Sequence, residues 1–143
     1  MKVLVLVKAT ERSEAGEFGS AEDFAAMDQY GQQLAEAGIV LASDGLQPSS
    51  KGKRVAFDAD GNSRVIDGPF AETKELIAGF WIWKCSSKAE AIEWVKRCPN
   101  PHEGGGEIEI RQVFEAEDFG KEFTPELREQ EDRICAQAEK HQR

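Results

Sequence analysis

Asp67-Gly-Pro-Phe-Ala-Glu-Thr-Lys-Glu75 leads directly into the apolar run Leu76-Ile-Ala-Gly-Phe-Trp-Ile-Trp83. Asp-Gly indicates a turn, because glycine accepts a positive φ and aspartate hydrogen-bonds its own backbone. Pro69 lacks an N–H and restricts the residue before it, so this corner does not lie inside a sheet. The sequence therefore predicts a rigid corner that carries a carboxylate and leads directly into a strand.

The run after the corner is apolar on both alternating faces. One face carries Leu76, Ala78, Phe80 and Ile82, and the other carries Ile77, Gly79, Trp81 and Trp83. The β-branched stretch 2–8 has the same character. Both patterns predict strands that are buried on both sides.

Two capping signatures predict the helices of the main body. Ser20 with Asp23 three residues later opens a helix that ends at Gly38, and Ser87-Lys-Ala-Glu90 opens a second helix, which Pro99 stops. The stretch 10–19 between the first strand and the first helix is expected to be a loop, since it is rich in glycine and charge.

The remaining strands are read from alternation and turn residues. A strand begins at 39–42, and Asp44-Gly45 is expected to interrupt it as a turn. Residues 54–57 and 63–66 flank Asp58-Ala-Asp-Gly-Asn62 and predict a hairpin. A last strand is predicted over 107–114, and Thr124-Pro125 predicts the start of a helix in the tail.

The order β-α-β, hairpin, β-α-β is typical of the ferredoxin-like α+β fold, with two helices on one face of a mainly antiparallel sheet. We predict this domain over 1–114 and an acidic C-terminal helical extension over 115–143. Because helices cover one face while two strands are apolar on both, the open sheet face needs a partner. A homodimer through that face is predicted, and coverage by the hairpin or the tail is the alternative.

Composition excludes several classes of partner. A chain of 143 residues with a formal net charge of -9 lacks the basic footprint that nucleic acid or an anionic membrane requires. No stretch approaches the length of a membrane span, and no signal peptide is visible. The 3 cysteines include no CxxC pair, so reduced thiols and a cytoplasmic location are expected.

Several separate motifs resemble the DGPF branch of the YCII-related family over about residues 2–114. The likeness rests on Asp67-Gly-Pro-Phe70, Ala78-Gly-Phe80, Asp44-Gly-Leu-Gln-Pro48 and Ala91-Ile-Glu-Trp94. The resemblance implies a dimeric α+β barrel with a cleft between sheet and helices, in a family without an established activity. Some relatives carry a His-Asp pair proposed as catalytic, with the histidine on or near the first helix, whereas residues 23–37 of this chain contain no histidine.

Asp67 is the predicted catalytic residue. At the mouth of a cleft walled by Phe70 and Phe80, desolvation would raise the pKa of its carboxyl and suit it to general acid or base catalysis. In the alternative interpretation, Asp67 caps its own turn and the corner is structural.

Six further residues are candidates for substrate binding, each with a structural alternative. Asp44 is a second carboxylate or a plain turn residue, Tyr30 is a ligand donor or a core tyrosine, and Glu72 and Lys74 bind a polar ligand or form a surface ion pair. The complete set is Tyr30, Asp44, Phe70, Glu72, Lys74 and Phe80.

No metal or cofactor is expected. The chain has 2 histidines, so His102-Glu103 is a weak candidate for a metal site. The run Gly104-Gly-Gly106 precedes a predicted strand rather than a helix, which is the wrong context for a phosphate loop.

Two function classes follow: a small enzyme with carboxylate acid/base chemistry in a cleft, and a non-catalytic module that binds a ligand or a protein partner.

Overall fold

The computed structural model describes residues 1–102 and 104–142. The chain forms two compact units, Met1–Gln112 and Val113–Arg143, so that the boundary lies between Gln112 and Val113. The sequence places this boundary after Phe114.

The first unit contains six strands and three helices among its described residues. They are β1 (Lys2–Lys8), α1 (Glu11–Glu14), α2 (Ala21–Glu36), β2 (Val40–Gly45), β3 (Lys53–Phe57), β4 (Ser63–Asp67), β5 (Ile77–Lys84), α3 (Lys88–Lys96) and β6 (Ile108–Gln112). Four strands form a sheet of order β2-β5-β1-β6 in which all neighbours are antiparallel, and β3 pairs with β4 in a separate hairpin. The predicted α+β fold with ferredoxin-like order is confirmed.

The core lies between the sheet and the two longer helices. Val3 pairs with Trp83 and Val5 with Trp81, which places these side chains on one face of the sheet. The fully buried side chains are Val3, Val5, Leu34 of α2 and Trp83, and Ala91 of α3 joins the same cluster.

The opposite face of the sheet is also apolar at its centre. Leu4 pairs with Ile82 and Leu6 with Phe80, and all four side chains are half-buried. We call these four residues the open face. The double apolar pattern therefore produces full burial only on the face that α2 and α3 cover.

The helix ends follow the predicted chemistry. The Ser20 hydroxyl accepts the Asp23 N–H at 3.1 Å, and the Asp23 carboxylate accepts the Ser20 N–H at 2.8 Å, which closes the capping box of α2. Gly38 ends the helix at φ +70°, a conformation that glycine adopts without a steric penalty. Ser87 caps α3 by accepting the Glu90 N–H at 3.1 Å, but the Glu90 carboxylate accepts the Ser86 N–H at 2.8 Å rather than that of Ser87, so only half of the predicted capping box forms.

Two local expectations are wrong. Asp44-Gly45 does not interrupt the second strand, because Asp44 pairs with Phe80 and Gly45 with Gly79 inside β2. The stretch after β1 is not all loop either. Thr10 and Ser13 exchange backbone-to-side-chain hydrogen bonds that cap the short helix α1. Tertiary pairing overrides the turn preference in the first case, and a capping box stabilises one helical turn in the second.

The second unit contains the predicted tail helix, α4 (Pro125–His141), with Thr124 accepting the Leu127 N–H at 3.3 Å. Before it, the rings of Phe114, Phe119 and Phe123 form a chain of contacts, with centroids 5.2 Å and 5.1 Å apart. None of the helices in the described part of the chain is long and apolar enough to cross a membrane.

Candidate functional site

A pair of glycines opens a cavity at one end of the sheet. In the register of the four-stranded sheet, Gly45 of β2 lies opposite Gly79 of β5, and Gly79 lies opposite Val7 of β1. Neither glycine has a side chain to fill the space above the sheet at this row. The result is a cavity of about 360 Å³ that is wide open to solvent, and its volume is within the usual range of small-molecule sites.

The walls of this cavity are mainly apolar. Met27 of α2 faces the strands, and the loop before β6 contributes Pro101 and His102. Ser43, Asp44 and Gly45 are exposed, so the mouth of the cavity lies along the edge strand β2. The complete lining is Val7, Met27, Ser43, Asp44, Gly45, Ala78, Gly79, Phe80, Trp81, Pro101 and His102.

Asp44 and Phe80 are the two predicted binding residues that the structure brings together. They are cross-strand partners, and both line the cavity. Because side chains alternate along a strand, the Asp44 carboxylate lies on the face of Phe80, opposite the face of Ser43 and Trp81. Asp44 therefore stands at the rim rather than under α2.

Tyr30 lies in the core below the cavity and does not line it. Its hydroxyl donates to the Trp94 carbonyl oxygen at 2.5 Å, and its ring meets Trp81 edge to face at 6.1 Å. Burial raises the pKa of the Tyr30 phenol well above its usual range. This geometry favours the interpretation of Tyr30 as a core tyrosine with a satisfied hydroxyl.

Asp67 lies at the end of β4, outside the cavity lining. Its carboxylate accepts a hydrogen bond from the Lys53 ammonium at 2.5 Å, and both side chains are well exposed. An exposed pair of this kind contributes between 0 and about 1 kcal/mol to stability.

The corner after Asp67 is held by backbone packing. A Cβ on Gly68 would lie 1.7 Å from the Ser49 carbonyl oxygen, and the Gly68 N–H donates to the Gly52 carbonyl at 3.0 Å. The Ser49 hydroxyl accepts the Phe70 N–H at 3.1 Å and donates to the Glu14 carboxylate. These hydrogen bonds connect the corner at residues 68–70 to the turn at Ser49 and to α1. Such contacts are expected of a structural motif.

The other predicted residues near the corner make surface contacts. The Arg54 guanidinium lies 3.8 Å from the centroid of the Phe70 ring, a cation–π contact. Glu72 and Lys74 are exposed, and within residues 1–102 and 104–142 no salt bridge joins them. None of these three predicted residues, Phe70, Glu72 and Lys74, lines the cavity.

No group of three or more metal-binding side chains occurs within the described residues. Of the weak candidate pair, Glu103 lies outside the described residues, and the Nε2 atom of His102 lies 2.8 Å from a backbone carbonyl oxygen, that of Lys8.

The sequence profile of the YCII-related domain matches residues 1–117, most of the chain. The chain belongs to the YCII-related family. An uncharacterized protein of Rhizobium meliloti (strain 1021) is 34% identical over 82 residues, which cover 57% of this YCII-related chain and 65% of that relative. The match thus spans slightly less than two thirds of the relative's length.

A solved structure, the 5-chloro-2-hydroxyhydroquinone dehydrochlorinase TftG from Burkholderia phenoliruptrix AC1100 in complex with 2,5-dihydroxybenzoquinone, matches 84% of this YCII-related chain and all of that chain. The two share 15% identity, and the TM-score is 0.41.

Among the cavity residues that the sequence did not predict as binding residues, His102 carries an imidazole, and the sequence pointed to it only as a weak metal candidate. The resemblance directs attention to a histidine on the first helix, and α2 of this YCII-related chain has none. A signal was nonetheless present in the predicted topology. The strand that follows His102 is the neighbour of β1, so the loop before it must lie beside the end of β1.

Proposed function

We propose that this YCII-related protein binds a small organic molecule in the cavity above the Gly45–Gly79 row. The walls supply apolar contact through Val7, Met27 and Trp81, and His102 and Ser43 supply polar groups. A mainly apolar cavity with a few convergent polar groups is the usual form of a small-molecule site.

This proposal rests on one observation: no neighbouring atom in the described part of the chain requires position 45 to be glycine rather than a larger residue. A Cβ on Gly79 would lie 3.2 Å from the Asp44 carbonyl oxygen, so backbone proximity accounts for that glycine. A Cβ on Gly45 would meet no atom within 4 Å, and Gly45 does not have a positive φ. Since a glycine inside a strand weakens it by about 0.5–1 kcal/mol relative to alanine, the open space is the feature that glycine preserves here.

The test is a thermal-shift screen of a metabolite library against the wild type, Gly45→Leu and the control Ala35→Leu. Leucine at 45 extends into the cavity, whereas Ala35 is an exposed residue of α2 outside the lining. A ligand at 100 times its Kd stabilises by about 2.7 kcal/mol. We expect hits that stabilise the wild type and Ala35→Leu but not Gly45→Leu. Hits that stabilise Gly45→Leu equally would overturn the cavity assignment.

Asp67→Asn belongs in the same screen, because the sequence predicts Asp67 as the acid/base residue. The corner contacts support a structural role, so we propose that Asp67→Asn keeps the ligand response. A hit that stabilises the wild type and fails with a folded Asp67→Asn protein would instead place Asp67 in the site. A library without hits would favour one form of the second function class, a non-catalytic module that binds a protein partner.

We also propose that a second copy of the chain covers the open face. Leu4, Leu6, Phe80 and Ile82 form a contiguous apolar centre on the side of the sheet away from α2 and α3. Two such faces packed together would give the aligned sheet-on-sheet arrangement of a two-fold dimer.

A further inference from the structure

The loop before β6 is organised around His102. The Asn100 side-chain oxygen accepts the His102 N–H at 3.2 Å, and the His102 carbonyl accepts the Gly105 N–H at 3.0 Å. The imidazole extends from this loop to the end of β1, where its Nε2 lies 2.8 Å from the Lys8 carbonyl oxygen. Hydrogen bonds therefore fix both the backbone of His102 and its imidazole ring.

One edge of the imidazole lies against the protein. A Cβ on Gly106 would come within 2.8 Å of the His102 Cδ2 atom, so Gly106 leaves the space that the ring needs. Cδ2 and Nε2 are neighbouring ring atoms, and together they occupy the edge that faces Gly106 and Lys8. The other edge carries Nδ1, which has no hydrogen-bond partner within residues 1–102 and 104–142.

The Lys8 contact fixes the neutral tautomer of His102. A backbone carbonyl oxygen accepts hydrogen bonds and never donates them, so Nε2 carries the proton in this contact. In a neutral imidazole the second nitrogen then holds a lone pair and acts as an acceptor. This contact thus prepares Nδ1 of a cavity-lining residue as an acceptor.

We infer that His102 is the hydrogen-bond acceptor of the cavity, and that its ligand combines a compact apolar body with an O–H group. This inference rests on the proposed function of the cavity. The ligand's O–H donates a hydrogen bond to the Nδ1 lone pair, while the Nε2–H stays on the Lys8 carbonyl oxygen. Val7, Met27 and Trp81 line the space for the apolar body.

The tautomer is tested first, by a ¹⁵N–¹H correlation spectrum of the imidazole ring at a pH where it is neutral. The chain has 2 histidines, so a His141→Gln variant leaves His102 as the source of every ring signal. We expect a protonated Nε2 and an unprotonated Nδ1. A protonated Nδ1, or fast averaging between the two tautomers, would overturn the inference.

Ligand selection is tested with phenol and with its methyl ether, anisole. The two probes share an apolar ring, and only phenol carries an O–H donor. We expect phenol to bind the wild type about tenfold more tightly than anisole, as one well-placed hydrogen bond allows. His102→Gln retains a side-chain N–H for the Lys8 carbonyl but has no acceptor nitrogen at the Nδ1 position, so the advantage of phenol should disappear.

The outcomes separate this inference from the proposed function. If phenol and anisole bind the wild type equally and Gly45→Leu excludes both, the cavity is a site but His102 does not select the ligand. If phenol keeps its advantage in folded His102→Gln, another group accepts the O–H and the inference is wrong. If neither probe binds, or Gly45→Leu binds both, the cavity proposal and the inference both fail.

Discussion

Gly68 and Ser49 approach so closely that a Cβ on Gly68 would lie 1.7 Å from the Ser49 carbonyl oxygen. No real Cβ contact is this short, and the atom that it would meet belongs to the backbone. Glycine at position 68 is therefore required by packing alone, whatever the conformation of the turn.

Gly68→Ala should be strongly destabilising, because the Ser49 turn or the corner must move to accept a methyl group. Overpacking of this kind typically costs about 1–3 kcal/mol, and a backbone neighbour puts this case at the upper end. Chemical denaturation measures the free energy of unfolding. The control is Gly31→Ala in α2, where a Cβ meets nothing within 4 Å and helix propensity predicts a gain of up to about 1 kcal/mol. Equal stability of the two variants would contradict the packing argument.

Tyr30 should keep its phenol proton for as long as the protein stays folded. Burial raises the pKa of Tyr30, so its stabilising contribution is complete below the ordinary tyrosine value of about 10 and is lost as the pH rises through the folded value. The chain contains 1 tyrosine, so an ultraviolet absorbance titration reports this group directly. We expect phenolate to appear together with alkaline unfolding. Ionisation near the ordinary value in a protein with unchanged circular dichroism would contradict this.

Glu90 should contribute to the loss of stability in acid. Hydrogen bonds from the Ser86 side chain and backbone lower the pKa of Glu90. A lowered carboxyl pKa stabilises the fold above the ordinary value of about 4.3, and this contribution is lost as the pH falls through the folded value. The free energy of unfolding should therefore fall more steeply in acid for the wild type than for Glu90→Gln.

The control for Glu90 is Glu93→Gln, which removes an exposed carboxylate whose partner is Lys96 at 3.2 Å. We expect this variant to follow the acid profile of the wild type closely. Parallel profiles for wild type and Glu90→Gln would show that the Ser86 contacts do not stabilise the fold.

If two copies pack through the open face, light scattering should report the mass of a dimer for the wild type. Leu6→Glu should dissociate this dimer. A charge at position 6 stands beside Phe80 at the centre of that face, where pairing would bury it at a large cost. The control is Phe57→Glu, which makes a matched change at a hairpin residue that is already 75% exposed. A wild-type mass of 15.8 kDa at micromolar concentration would refute the dimer.

The order of strands and helices could be predicted because local signals agree with the final fold. Ser20 with Asp23 and Ser87 with Glu90 are capping pairs whose chemistry is confined to one helical turn. The continuous apolar runs of β1 and β5 likewise mark the two central strands, although they do not show which of their faces α2 covers. Asp44-Gly45 could not be predicted as strand, since its turn preference is overcome by pairing with Phe80 and Gly79, which lie far away in sequence.

The cavity was harder to predict than the fold, because three distant segments create it. Each of the three key residues has a plausible local role of its own: Gly45 as a turn residue, Gly79 as a strand residue and His102 as a loop residue. Only the register between β2 and β5 shows that the two glycines share a row. At Asp67 the local motif was misleading instead. The sequence predicts an acid/base residue there, whereas the structure shows an exposed ion pair with Lys53 and tight backbone packing at Gly68.

With a ligand in the cavity as proposed, the Gly45–Gly79 row would set stability against binding. A Cβ on Gly45 would meet no atom within 4 Å, and a glycine in a strand carries an entropic cost, so Gly45→Leu should give a more stable protein. The same substitution closes the cavity. Selection for thermostability alone would therefore replace Gly45, and directed evolution that scores stability without a ligand should lose this glycine early.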